Sequence, residues 1–272
     1  MSLLTEMFSY SFMTRGFIVG FIISLVAALL GSPLVLKRYS MIGDGLSHVS
    51  FGAMAVATAF NWAPLGLAIP LVILASIALL NLSEKGGLRG DAFLGLISTG
   101  SMAIGVSAMS MTKGMNIDVT NYMFGSILSM TKSDVYLSLV LGTIIIIAFV
   151  FFYHEIFAVT FDESFAKVSG GPYKLYKMLL AVLTAITIVL GMRMMGAMLI
   201  SSLILFPAFS AMQLFGRFSQ LIIFSALQGV VSFLIGMVLS YIYGLPPGAS
   251  IVLINMGFFL LSYLFGRKRG LN

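Results

Sequence analysis

The ionisable residues of this 272-residue chain are separated by long uncharged runs, and that spacing restricts it to very few folds. Residues 16–36 carry no charge, and neither do residues 45–83, 92–112, 135–153, 178–192, 194–216 or 218–266. A bilayer core about 30 Å thick is crossed by roughly 20 apolar residues in a helix. The runs therefore predict about eight to nine transmembrane helices. The 45–83 run is divided at Asn61-Trp62-Ala63-Pro64, where Trp62 suits a membrane interface, and the last run at Gly244-Leu245-Pro246-Pro247-Gly248. Proline ends a helix there because it has no N–H and clashes with the preceding turn. Transmembrane strands would alternate in polarity over about ten residues, and runs such as 137–152 do not.

Composition closes the alternatives. Hydrophobic residues make up 60% of the chain and charged residues 9%, against roughly 25% charged in a soluble domain. A water-soluble globule could not cover this much apolar surface. Disorder is excluded for the same reason, and so is nucleic-acid binding, despite the net charge of +6. With no cysteine there is no disulfide framework, thiolate metal cluster or cysteine nucleophile. The expectation is an all-α polytopic membrane protein forming one transmembrane domain over residues 1–272.

Basic residues set the orientation. With the tail Arg267-Lys268-Arg269 in the cytoplasm, Lys37, Arg38, Lys85, Arg89, Lys167, Lys174, Lys177 and Arg217 also lie inside. Arg15, Lys113, Lys132 and Arg193 lie outside. This predicts the N-terminus outside and the C-terminus in the cytoplasm. Residues 118–134 are apolar enough to dip into the membrane without crossing it. Asp118 and Asp134 flank that segment and are expected to be solvated, as is Glu6; the two aspartates could also attract cations to the outer mouth.

Charges inside a membrane span are rare and usually functional. His154 follows a span, beside Glu155, and is placed at the cytoplasmic interface. His48 lies instead within Met41-Ile42-Gly43-Asp44-Gly45-Leu46-Ser47-His48-Val49-Ser50, at the start of the second span. Asp44 and His48 are four residues apart, so on a helix they share one face, about 6 Å apart. Small residues around them permit close helix contact and leave room for a ligand. A carboxylate with a neutral imidazole suits a first-row divalent cation, and two copies of the chain would raise two ligands to four. The competing reading has Asp44 capping its helix and His48 donating to a neighbouring carbonyl. Methionines 192, 194, 195 and 198 could form a Cu(I) path through their thioethers, or simply fill the core.

The loop Phe161-Asp162-Glu163-Ser164-Phe165-Ala166-Lys167-Val168-Ser169-Gly170-Gly171-Pro172 reads as a short amphipathic helix. The helix dipole favours Asp162 at its start, and the Gly-Gly-Pro run ends it.

With these segments in order, the chain resembles the permease subunits of bacterial ABC importers for zinc, manganese or iron. The likeness runs nearly end to end. It is carried by residues 37–48, by Asn121-Tyr122-Met123-Phe124-Gly125-Ser126-Ile127-Leu128, by the 161–170 loop, by residues 196–208 and by Leu245-Pro246-Pro247-Gly248-Ala249-Ser250. The resemblance implies a type II importer permease fold in the bacterial plasma membrane. It implies that Asp44 and His48 hold metal in the translocation path and that Pro207 is the proline in the middle of the seventh span. It also implies that Asp162, Glu163, Phe165, Ala166, Lys167 and Gly170, within a coupling helix at 161–172, dock on a cytoplasmic ATPase. The implied partners are a dimeric ABC ATPase, an extracellular or periplasmic metal-binding protein and a second copy of the chain. No cofactor would be bound permanently; the metal would be the cargo.

The chain has no GxxxxGK[ST] motif, so it cannot hydrolyse ATP by P-loop chemistry. Energy must come from a separate subunit or from an ion gradient. The second case, a proton-coupled secondary metal transporter using Asp44 and His48 as a relay, is the alternative reading. An intramembrane enzyme would need a dyad or an HExxH motif, and no HExxH occurs.

Overall fold

The computed structural model describes residues 3–83, 87–111, 132–161 and 172–268. Among them are eleven helices and no strands. A short α1 (Leu3–Ser9) precedes α2 (Ser11–Leu36), α3 (Ile42–Ala59), α4 (Pro64–Ser83) and α5 (Gly87–Met111). Then follow α6 (Lys132–Phe151), α7 (Tyr153–Phe161), α8 (Tyr173–Met195), α9 (Ala197–Leu214), α10 (Phe218–Tyr243) and α11 (Pro247–Lys268). Nine of these described helices have 18 residues or more, matching the nine uncharged segments of the sequence.

The breaks have local causes. Pro64 and Pro247 stand at the first positions of α4 and α11, where the missing N–H has no helical partner anyway. Gly244 ends α10 at φ 65°, with its N–H on the Ser240 carbonyl; this left-handed cap favours glycine. The boundary near Arg193 falls slightly later than the charge pattern suggests. Helix α8 continues to Met195, and Gly196 alone, at φ 88°, separates it from α9. The uncharged run up to residue 153 is also divided, because α6 stops at Phe151 and α7 is a separate, short apolar helix.

Eight of the long helices are apolar enough to cross a membrane; α3 is the exception. Its polar residues lower its hydropathy, yet most of its residues are buried. It packs against α4, α5, α8 and α9, and that protein shell shields it from lipid. Helices α2 and α8 are buried to the same degree, and α2 contacts α6, α8, α9 and α10. Lipid supplies little hydrophobic drive between helices, so close packing through small residues must hold them. A Cβ on Gly31 would strike the Ile204 carbonyl of α9, and one on Gly229 would lie 2.8 Å from Ala28 Cβ. Inside the α2–α9–α10 interface Ser32 Oγ and Ser225 Oγ are 2.9 Å apart, and Ser225 donates to the Pro207 carbonyl at 3.1 Å.

The helices bring the expected topological markers to two ends. Antiparallel α4 and α8 are joined by Ser76 Oγ to the Ala181 carbonyl and by Lys177 Nζ to the Leu80 carbonyl. That end also holds Lys37, whose Nζ donates to the Val159 carbonyl of α7 at 2.9 Å. At the other end Arg193 of α8 meets Asp134 of α6: Nη2 and Nε lie 3.0 Å and 3.2 Å from Oδ1. Asp134 is thus not solvated. Its side chain is 8% exposed, because the start of α6 packs beside the end of α8 and the guanidinium supplies the charge that water would otherwise screen. The 118–134 segment lies mostly outside the described residues.

Candidate metal site on the third helix

Helix α3 begins after a tight turn at the end of α2. Lys37 N–H donates to Pro33, Arg38 N–H to Val35 and Tyr39 N–H to Leu34, with Arg38 at φ 62°. The turn delivers Asp44 into the first turn of α3, where the helix dipole favours an anion. Asp44 does not act as the N-cap: that position is Met41, which makes no side-chain cap. The Asp44 backbone carbonyl accepts from Ser47 Oγ at 2.6 Å.

One turn on, His48 Nε2 lies 3.7 Å from Asp44 Oδ2. The side chains are 23% and 48% exposed respectively. Among the described residues His48 donates to no carbonyl. The separation is too long for a good hydrogen bond. Two ligand atoms at about 2.1 Å from a tetrahedral ion stand about 3.4 Å apart, so a slight rotation of either side chain would let the pair share one cation. Ser201 Oγ of α9 reaches Asp44 Oδ1 at 3.4 Å while also donating to the Ala197 carbonyl at 3.1 Å. It braces the carboxylate from the opposite helix. Among the described residues no group of three His, Cys, Asp or Glu side chains converges; Asp44 and His48 stand as a pair.

The small residues around the pair serve packing more than ligand space. A Cβ on Gly45 would collide with Leu94 of α5, and one on Gly52 with the Ser101 carbonyl. A Cβ on Gly105 would lie 2.9 Å from Gly52 Cα. This close α3–α5 contact fixes α3, and with it Asp44 and His48. Met192, Met194 and Met195 are buried in the core, and Met198 is about half exposed, so the four do not form one thioether-lined path. His154 is exposed at the start of α7. Asp162, Glu163, Phe165, Ala166, Lys167 and Gly170, expected to dock on an ATPase, lie outside the described residues. Helix α7, which leads into them, is described. Its Phe157 and Phe161 rings pack on Phe218 at 5.2 Å and 5.7 Å.

The sequence singled out Asp44 and His48 but gave no role to Ser201, nor to Lys37 as an anchor for α7. Ser201 follows Gly196 by five residues on a helix facing α3, and pairing across helices has no signature along the chain. Lys37 looked like a topology charge.

Comparison with known proteins shows the family. Residues 9–266 match the sequence profile described as the ABC 3 transport family. The chain is 31% identical, over 91% of its length and 95% of the relative's, to the "High-affinity zinc uptake system membrane protein ZnuB" of Buchnera aphidicola. It is 30% identical to the "Probable iron transport system membrane protein" of Haemophilus influenzae, over 100% of this chain and 96% of that one. It is 27% identical to the "Manganese transport system membrane protein MntC" of Listeria monocytogenes, with the same coverage. In three dimensions it superposes on a chain of PsaBC from Streptococcus pneumoniae in complex with Fab, with TM-score 0.85 and 25% identity, covering 96% of this chain and 95% of that one. With eight helices among the described residues long and apolar enough to cross a membrane, this multi-pass membrane protein belongs to the ABC 3 transport family.

Proposed function

We propose that this chain is the membrane-spanning subunit of an ATP-driven importer for a divalent transition metal, taken from zinc, manganese and iron, in a bacterial plasma membrane. The observation that carries the reading is the Asp44–His48 pair, spaced for one cation on the only long described helix too polar to cross lipid on its own. Relatives named for zinc, iron and manganese transport support the same three cargoes. All three ions accept carboxylate and imidazole, so selection depends on geometry and on the protein that delivers the metal.

Two copies of the chain would bring two half-sites together and give four ligands. The carboxylates offset part of the cost of stripping water from the ion, and the small ligand number keeps binding weak enough for release. A separate ATPase would engage residues 161–172. Movement there would pass through α7 to Lys37, which holds the Val159 carbonyl. From Lys37 it would reach the α2–α3 turn and Asp44. Orientation follows the charge bias, with the N-terminus outside and the C-terminus in the cytoplasm.

The test is uptake in a strain lacking the chain. Complementation should restore vanadate-sensitive accumulation of one of the three metals, with the other two as competitors. Uptake that ignores vanadate but collapses with the proton gradient would instead establish the secondary-transporter reading.

A further inference from the structure

Helices α4 and α8 cross at Ser76 and Ala181, where the serine hydroxyl donates to the Ala181 carbonyl at 3.1 Å. Beyond that crossing they flank a half-open cavity of about 510 Å³. It falls within the roughly 300–1,000 Å³ of small-molecule sites. Lys174, Lys177, Asn81 and Tyr173 line it together with Ile77 and Met178. Lys177 is buried, and its ammonium is fixed on the Leu80 carbonyl at 3.2 Å. Lys174 is exposed.

The cavity's depth in the membrane follows from the spans. Helix α4 runs to Ser83 and α8 starts at Tyr173, so the cavity lies at one end of both spans. From Tyr173 to Ala181 a helix rises about 12 Å. That distance covers the headgroup layer and the first few ångströms of hydrocarbon. The polar side chains and the lysines start at the outer part of this interval, and Ile77 and Ala181 lie toward its inner part. A soluble anion would match only the lysines. An amphiphile with an anionic head and an acyl chain matches both parts.

The geometry points to a binding site for an anionic phospholipid between α4 and α8. Its phosphate would lie against Lys174 and Lys177, with hydrogen bonds from Asn81 and Tyr173, and its acyl chain would follow Ile77 and Met178. Basic pockets between helices at a membrane face are a known means of binding anionic headgroups. Bound lipid would pin the end of α4 to the start of α8, next to the segment that leads from residue 161 into α8. The inference needs α4 and α8 to span a bilayer. It does not depend on which face is cytoplasmic, nor on the metal reading.

The test uses the full chain purified in detergent, with thermal unfolding followed during titration with phosphatidylglycerol, phosphatidylcholine or inorganic phosphate. Native mass spectrometry counts retained lipids. Phosphatidylglycerol should raise the melting temperature and remain bound, and phosphatidylcholine should do neither. Removing one lysine should weaken the apparent affinity about five-fold, and reversing its charge more. Lys174→Glu tests this on an exposed side chain without disturbing the core. Lys177→Met adds a second point if it folds, and Lys174→Glu decides the matter if it does not. Equal stabilisation by both lipids would overturn the proposal. So would an unchanged phosphatidylglycerol response in Lys174→Glu, or a full response to inorganic phosphate alone.

Discussion

Replacing Arg193 with alanine removes the guanidinium that holds Asp134 between α6 and α8. The carboxylate accepts both Nη2 and Nε on one oxygen, at 3.0 Å and 3.2 Å, and its side chain is 8% exposed. Breaking a buried pair by deleting one partner costs about 3–5 kcal/mol, because the other charge stays buried. Arg193 is 27% exposed, so water screens part of the interaction, and about 2–3 kcal/mol is the better expectation. At roughly 2–3 °C per kcal/mol for a chain of this size, Arg193→Ala should melt about 4–9 °C below wild type. Replacing both charges with apolar residues of similar size is often neutral, so Asp134→Leu/Arg193→Met should recover most of the loss. The assay is thermal unfolding of the three proteins in one detergent. A wild-type melting temperature for Arg193→Ala, or a double variant no better than the single one, would refute the claim that Asp134 is held by this pair.

Other substitutions probe different parts of the structure. Gly52→Leu forces a side chain against the Ser101 carbonyl; overpacking of this kind costs about 1–3 kcal/mol. It should lower both the melting temperature and metal uptake, since α3 carries the ligands. Gly244→Ala meets no neighbouring atom but must hold φ 65°. It should lose about 1–2 kcal/mol of stability with uptake retained, as read from melting and transport on one preparation. Ser201→Ala removes a long contact to Asp44 and a local bond to the Ala197 carbonyl within α9; only the first touches the pair, so half-saturating metal should rise less than about five-fold, the ordinary worth of one hydrogen bond, with the maximal rate unchanged. Lys37→Met should leave metal binding intact and reduce transport per ATP hydrolysed, because it frees α7 from the turn before Asp44. Equal coupling ratios in the variant and the wild type would remove Lys37 from the path.

Much of the architecture could be read along the chain because a membrane imposes a length on each helix. The nine segments, the Asn61–Pro64 and Gly244–Gly248 breaks and the two-ended distribution of basic residues all follow from runs and punctuation. Contacts between helices could not be read this way. Nothing in the sequence pairs Asp134 with Arg193, because charges at the ends of separate spans look alike whether solvated or joined. The glycines near Asp44 suggested both close helix contact and ligand space; Leu94 and Ser101 of α5 make the close contact at Gly45 and Gly52 and leave no space there. Helix α7 was hidden because its apolar residues continue the run of α6 past the break at Phe152. The Asp44–His48 pair was visible because both side chains lie one helix turn apart, and the Ser201 contact to Asp44 was not because it comes from another helix.

The central claim is that Asp44 and His48 carry the transported cation. Its most direct test is uptake of labelled zinc, manganese and iron by cells expressing wild type, Asp44→Asn, His48→Gln or the double variant, at matched abundance in the membrane. Each variant should fall to the background of cells lacking the chain while still assembling with its partner subunits. Wild-type uptake by the double variant would contradict the assignment.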